Sequence, residues 1–529
     1  MAAGAGAQFS LYHWDGLGQA TWAGFSNYTA TWSDPSLRGA FGHLLVLILF
    51  YSVLPCCIAF VLVAAMSRTK IRGLTFFRTV LFLPQVVAMV AVAVAWQWVY
   101  SADGPVNTVL GWLHALGLPD WRHGWFGDFT FALPAVGAVG TWVGIGLAMV
   151  LFLAGVQKIP RELYEAARID GAGPFREFFA VTLPGLRREL AVALTLTTIM
   201  AIRNFDLIYM ATAAGRATRR RSPPTRSTTA RSTPVRSASA ARSASRWRCW
   251  RSPSRRRPAA RGREGRMNVR AERFVNHAIL VLFSVIAVFP MIGIVAQAFQ
   301  LPHVDLSTFG TAWREGHFAT YLRNSVIVTT VTVVTSAVLS IMAGYALGTM
   351  RFRGSGALFL LFVAGLTIPT EAIVVPLYFD LRSAGLDNSY AGLILPQVAM
   401  SVAFGTFWMR AYFRSIPRSL LEAARIDGAS GWTTLWRVLV PVGRPAILTM
   451  VLLTTMWTWN EFLLPLVIVN SDEGLRTAPL GLSFFQGTHK TDYSLLMAGA
   501  LIIAAPIVIV YVFLQRQFIA GMLSGAVKE

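Results

Sequence analysis

Charge is scarce in this chain. Only 14% of its 529 residues are charged and 55% are hydrophobic, a ratio that a water-soluble protein of this length does not sustain. Three cysteines exclude a disulfide framework, and Cys56 and Cys57 lie inside an apolar run as small hydrophobic side chains. The histidines, His43 and His277 among them, are scattered rather than set at ligand spacing, so no metal site is expected. No nucleophile and base stand at a spacing that suggests catalysis, so neither catalytic residue nor cofactor is expected in this chain. A Gly-x-x-x-x-Gly-Lys-[Ser/Thr] phosphate loop is absent, which leaves no site of that type for ATP. The first 35 residues are mixed and polar, without the basic start and apolar centre of a cleavable signal peptide.

What the chain does have is long apolar runs. Several exceed 18 residues, enough for a helix to cross the hydrocarbon core of a bilayer. Their apolar residues surround the helix rather than lining one side, as bundled or lipid-facing helices require. Spans fall near 40–66, 76–101, 131–156 and 190–212, then near 274–298, 323–349, 356–380, 390–413, 444–469 and 495–517. The expected fold is all-α: a polytopic membrane protein of two related helix bundles, with four and six spans.

Arginine and lysine in short loops set the orientation. Arg68, Lys70, Arg72 and Arg78 mark one cytoplasmic loop, Arg351 and Arg353 another, and Arg270 with Arg273 a third. The less basic loops near 101–130, 299–322 and 470–493 read as external. The net charge of +22 is local: residues 216–266 hold 17 arginines, no lysine and one acid, Glu264.

The two halves are related. At a constant offset of 257, the fourteen residues Ile159–Ala172 lie on Ile416–Ala429 and differ at two positions only. The same offset carries Leu183-Pro184 onto Val440-Pro441 and Leu196-Thr-Thr198 onto Leu453-Thr-Thr455. Parallel repeats of one membrane bundle are a transporter pattern, with the substrate path between them. Pro160 and Pro417 suit the first turn of a helix. Strong helix formers follow, and Gly171 and Gly428 suit the C′ position that ends the helix. A second short helix and then Pro184 or Pro441 lead into the next span. Small alanines allow a partner close approach, and Glu165 and Glu422 offer charged contacts. A helix merely resting on lipid would have no need of a second copy; a partner with two matching clefts would.

The string Glu-Ala-Ala, then Asp-Gly-Ala, then Leu-Pro resembles the coupling loop of ABC importer permeases. Glu165, Ala166, Ala167, Asp170, Gly171, Leu183 and Pro184 carry it in the first copy. Glu422, Ala423, Ala424, Asp427, Gly428 and Pro441 carry it in the second, with Val440 in place of leucine. Together with Trp459-Asn460-Glu461-Phe462, the strings resemble the maltose and glycerol-3-phosphate branch, the first half its first permease and the second half its second. The resemblance implies two cytoplasmic ABC ATPase subunits docked on the loops, with ATP hydrolysis confined to them. It implies an extracytoplasmic solute-binding protein, a sugar or related polyol or glycerol phosphate as substrate, and residence across the bacterial cell membrane. It implies no nucleic acid.

Polar residues inside spans are costly and point to a pathway. Asn204 and Asp206 in one half, with Asn460 and Glu461 in the other, are the candidates, and Trp457 and Trp459 offer rings to stack on a sugar. Interfacial anchoring or hydrogen bonding between helices is the alternative for each of them.

Residues 216–266 fit none of this. Their composition suits a disordered linker, or a basic tract for anionic lipid or nucleic acid. Topology argues otherwise. The fourth span ends outside and the second half begins inside, yet no apolar segment between them makes the crossing. Resemblance to permeases stops at about Gly215, where a further span is expected. Arg, Ser, Pro, Ala, Thr, Trp and Cys all have GC-rich codons, and Lys, Ile, Phe and Tyr are absent from the segment. It reads as an out-of-frame join of two adjacent genes, with Met267 as a second start. Phe9–Gly18 resembles the stretch that follows a first span, so the first bundle, 1–215, is expected to lack its first and last spans, and 267–529 to keep six. An ion-coupled secondary transporter is the alternative from another class, and an inactive pseudogene product of a permease pair is a third.

Overall fold

The computed structural model describes residues 10–13, 21–68, 71–128, 130–211, 269–300, 304–485 and 492–525. The arginine-rich segment 216–266, Met267 and most of Phe9–Gly18 lie outside them. Without water to bond to, the backbone of an apolar chain must satisfy itself within helices. Among the described residues helix accordingly follows helix, apart from one short antiparallel pair, Tyr12–His13 with Thr21–Trp22. The main helices of the first half are α1 (Pro35–Ser67), α2 (Leu74–Val86), α3 (Met89–Val99), α4 (Ala132–Val156), α5 (Arg161–Ile169), α6 (Arg187–Ile202) and α7 (Phe205–Ala211). Those of the second are α8 (Val269–Ala298), α9 (Phe318–Thr349), α10 (Ser355–Thr367), α11 (Thr370–Ser383), α12 (Tyr390–Ser415), α13 (Arg418–Ile426), α14 (Arg444–Trp459), α15 (Leu463–Ile468) and α16 (Tyr493–Gly525).

Seven helices among the described residues are long and apolar enough to cross a membrane, or ten if each bent pair counts as one span. Ten matches the number expected from sequence, but three of those spans are not straight. The expected span 76–101 breaks by 98° between α2 and α3, 356–380 by 100° between α10 and α11, and 190–212 by 43° between α6 and α7. In the second case the cause is local: Ile368 precedes Pro369, and a residue before proline is pushed out of the helical region. Ile368 is extended (φ −76°, ψ 119°). In the first case Val87 and Ala88 are extended with no proline between them (ψ 139° and 135°). The two right-angle breaks share one construction. Each follows a 13-residue helix that starts on a left-handed glycine, Gly73 (φ 75°) or Gly354 (φ 85°).

The halves share their cores. Leu280 and Ala287 of α8, and Ile507 and Tyr511 of α16, are buried with Leu62, Leu81, Phe82 and Met149 of the first half. Val90 to Ala95 of α3 are sealed in a second cluster with Ile294, Ala500 and Ile503. The cover is one-sided, however. Whereas α8 and α16 close over α2 and α3, no residue of α10 is buried, and it packs chiefly on α12 of its own half.

Within the first half, α1 and α4 approach through glycine. Gly137, Gly140 and Gly144 face Phe50, Tyr51 and Pro55, so small residues let the backbones close, as is common between membrane helices. Here α1 widens into a π turn at Leu49–Val53. Thr141 Oγ1 donates to the Phe50 carbonyl of that turn at 2.6 Å, satisfying part of the loosened ladder. A Cβ at Gly140 would overlap the Tyr51 ring. Gly140→Leu should therefore lower stability by about 1–3 kcal/mol through overpacking, read as a fall in the thermal midpoint of the full chain in detergent micelles. An unchanged midpoint would mean that α1 and α4 do not meet there.

Candidate functional site

The two repeated loops have the same backbone. In each, a proline is the N-cap rather than the first helical residue expected from sequence: Pro160 (ψ 137°) before α5 and Pro417 (ψ 132°) before α13. The helices end alike. Gly171 is left-handed at φ 77° and Gly428 at φ 75°. The Gly171 N–H donates to the Arg168 carbonyl at 3.1 Å, and the Ala172 N–H to the Ala167 carbonyl at 2.9 Å. Gly428 donates to Arg425 at 3.0 Å and Ala429 to Ala424 at 2.9 Å. That double bond pattern is the Schellman ending, which requires the left-handed residue. Open space surrounds the Cα of both glycines, so the demand is on φ and not on room. Beyond them come π turns, Phe178–Thr182 and Thr434–Leu439, then the short Leu183–Gly185 and Val440–Val442 helices that carry Pro184 and Pro441 into α6 and α14.

Side chains pin the two copies differently. Tyr164 Oη lies 3.2 Å from Thr182 Oγ1. At the matching offset stand Leu421 and Leu439, both within one apolar cluster. Both members of the contact have changed together, from polar to apolar. The first copy also carries an ion pair, Arg168 Nε to Glu177 Oε2 at 3.0 Å, with Glu177 buried. Hydrogen bonding to Glu177 raises the Arg168 pKa above its ordinary value. In the second copy a buried Thr434 stands at the Glu177 position.

Most of the expected docking residues lie open: Glu165, Ala166, Asp170, Gly171 and Pro184 in the first copy, Glu422, Ala423, Asp427, Gly428 and Pro441 in the second. Ala167 and Leu183 are half-buried and Ala424 is buried. Sequence reasoning missed the most exposed apolar groups, Ile169 and Ile426, each 86% exposed at the tip of its helix. Their signal was available: the same isoleucine recurs at the same offset in both copies.

The expected pathway residues sit at another matched pair of places. Helices α6 and α14 each run 16 residues from the loop and then break, at Arg203-Asn204 and at Asn460-Glu461. The breaks face one another. Tyr209 lies 5.9 Å from Phe462, ring to ring, and Phe205 packs against the apolar cluster that contains Leu463 and Leu464. Asp206, Glu461 and Glu371 of α11 come within electrostatic reach of each other, as do Arg203, Glu371 and Glu461. Asn204 is buried with its side-chain amide near the Tyr51 hydroxyl, and Glu371 Oε2, Arg203 Nε and Asn460 Oδ1 are buried without a partner among the described residues. Glu461 Oε1 accepts from the Leu464 N–H at 3.1 Å, capping α15. The two tryptophans diverge. Trp459 is buried and donates its ring N–H to the Ile503 carbonyl at 3.1 Å, whereas Trp457 is exposed and packs edge-on against Phe404 at 4.6 Å. They form no shared stacking surface. Arg203 and Glu371 were not anticipated; Arg203 stands at the offset of 257 from Asn460, which was.

Two stretches of the chain, residues 58–228 and 338–523, match the family model described as binding-protein-dependent transport system inner membrane component. The first match runs past Gly215, where the resemblance was expected to stop, to residue 228. Among similar proteins, a probable ABC transporter permease, YurM, of Bacillus subtilis is 36% identical over 263 residues, 47% of this chain and 86% of the relative. The diacetylchitobiose uptake system permease NgcG of Streptomyces coelicolor is 33% identical over 264 residues, 47% and 87%. The arabinooligosaccharide transport permease AraQ of Halalkalibacterium halodurans is 34% identical over 260 residues, 46% and 92%.

The left-handed glycines give a test of the loop geometry. Gly171→Ala and Gly428→Ala should each cost about 1 kcal/mol at the C′ position. Hydrogen exchange at 170–172 or 427–429 should quicken about fivefold. Exchange unchanged in either copy would contradict that ending.

Proposed function

From the premise that the chain belongs to the binding-protein-dependent transport system inner membrane components, the permeases of ABC importers, we propose how its parts divide the work. It is a multi-pass permease of the cytoplasmic membrane. In our reading it takes a sugar inward, delivered by an extracytoplasmic solute-binding protein. Sugars are named for the relatives NgcG and AraQ. ATP hydrolysis falls to two separate ABC ATPase subunits, one on each repeated loop, and this chain contributes no catalytic group or cofactor.

One observation carries the docking role: a helix ended by the same Schellman turn, with the same isoleucine open at its tip, occurs in both halves. An apolar side chain so exposed outside the spans has no packing reason within the chain; a cleft on a partner supplies one. Glu165 and Glu422 lie beside it for charged contact. The solute path is assigned to the seam between the broken helices, at Asn204, Asp206 and Glu461; Asn460 borders it with its Nδ2 bonded to the Val86 carbonyl. Carboxylates and amides so placed suit hydroxyl groups. Trp457 and Trp459, turned to other neighbours, contribute less. The bundles are taken as 1–215 and 267–529, joined out of frame through 216–266; resequencing the DNA and finding one intact frame would refute that join.

The decisive experiment is uptake into proteoliposomes holding the full chain with its two ATPase subunits. Ile169→Asp or Ile426→Asp should lower ATP-driven uptake about tenfold each, and the double variant should abolish it. Uptake that persists without ATP and collapses with an ionophore would make the protein ion-coupled instead.

A further inference from the structure

A helix that breaks inside an apolar body exposes carbonyls that its own ladder no longer reaches. Val86 is the last residue of α2, and Ile368 is the first residue past the end of α10. Val86 is fully buried, so its carbonyl needs a donor from elsewhere in the fold. The donor comes from the other half: Asn460 Nδ2 donates to the Val86 carbonyl at 2.9 Å. The reverse contact is also present. Arg203 Nη2, in the first half, donates to the Ile368 carbonyl of the second at 2.7 Å. Arg203 and Asn460 are equivalent positions, 257 apart, and the two carbonyls occupy equivalent breaks. One chemical arrangement therefore occurs twice, crossed.

Each donor also terminates a helix rooted in a repeated loop. Arg203 caps the C-terminal end of α6 and Asn460 that of α14. Sixteen residues of helix make a strut about 24 Å long. We propose that Arg203 and Asn460 are reciprocal positioning residues: each holds the broken helix of the opposite half, and through it the movement of one loop reaches the other bundle. The transmission in that statement rests on the docking role proposed for the loops; the hold itself does not.

Geometry separates this from a role in solute contact. The donor atoms are already spent on backbone carbonyls, and each lies at a break whose register it fixes. A side chain reserved for solute would leave those atoms free. Asn460 Oδ1 and Arg203 Nε stay buried without a partner among the described residues, but the Nδ2 and Nη2 atoms that reach across are bonded.

The hold is tested on the full chain alone, in detergent micelles, by hydrogen exchange. Asn460→Leu removes the donor at similar volume and should quicken exchange about tenfold at 87–92, in the first half. Arg203→Ala should do the same at 370–373, in the second, while Arg203→Lys, which keeps a donor, should stay near wild type. Exchange that changes only in the substituted half, or nowhere, overturns the proposal. The transmission is tested in the reconstituted complex. Both variants should keep ATP hydrolysis but lose uptake at least about tenfold, with the KM for solute unchanged. A raised KM at an unchanged ratio of ATP to solute would make these residues solute contacts and refute transmission. Wild-type complex that takes up no sugar would sink the proposed function, and the exchange measurements would still decide the hold.

Discussion

A carbonyl stranded at the end of a broken helix, where its own ladder no longer reaches it, has to find a donor. Leaving such a group unpaired costs about 1–3 kcal/mol, and the apolar clusters around the breaks offer nothing that can bond to it. The structure answers by completing each half with a side chain from the other: Asn460 for Val86, Arg203 for Ile368. Much else follows from this. The apolar packing of α8 and α16 on α2 and α3 supplies most of the attraction between halves, but it is non-directional and tolerates sliding. Two hydrogen bonds with fixed partners do not tolerate it. They set the register in which the polar groups Asn204, Asp206, Glu371 and Glu461 meet.

The repeated loops show the same division between what is fixed and what drifts. Their backbone endings are the same to within a few degrees, because a left-handed C′ residue and two specific hydrogen bonds leave little latitude. Their side-chain contacts are not the same. Tyr164 with Thr182 in one copy becomes Leu421 with Leu439 in the other, and the Arg168–Glu177 pair has no second copy. A contact can change its chemistry provided both partners change and the volume is filled. A φ of 75° cannot be exchanged for anything a side chain provides.

The sequence was informative where the constraint was local or repeated. Apolar length revealed where the candidate spans lie, glycine revealed the loop endings, and the offset of 257 revealed both copies. It was silent where direction or a distant partner decides. Hydropathy measures composition, and a run that turns through 98° at Val87-Ala88 scores like a straight one. Asn460, far along the chain, supplies the donor that the Val86 carbonyl needs at that break. Trp459 was credited with a ring free to stack because nothing in its neighbours along the chain shows the Ile503 carbonyl that takes its N–H. Ile169 and Ile426 were overlooked for a different reason: in a chain so rich in apolar residues, one more carries no contrast until its exposure is seen.

The two halves also disagree in an instructive way. Val90 to Ala95, just past the first break, are sealed by helices from the second half, whereas α10 has no buried residue. Were the cross-half hydrogen bonds a by-product of tight packing, the one at Ile368 would be expected to fail where the cover is open. It does not: Arg203 reaches Ile368 at 2.7 Å, closer than Asn460 reaches Val86. The longer, charged side chain stands on the more open side, where a donor must span a looser seam. The shorter, neutral one stands where burial is complete and a guanidinium would be costly to desolvate. The symmetry of the contact thus outlasts the symmetry of the packing, and the choice of donor follows the surroundings of each carbonyl.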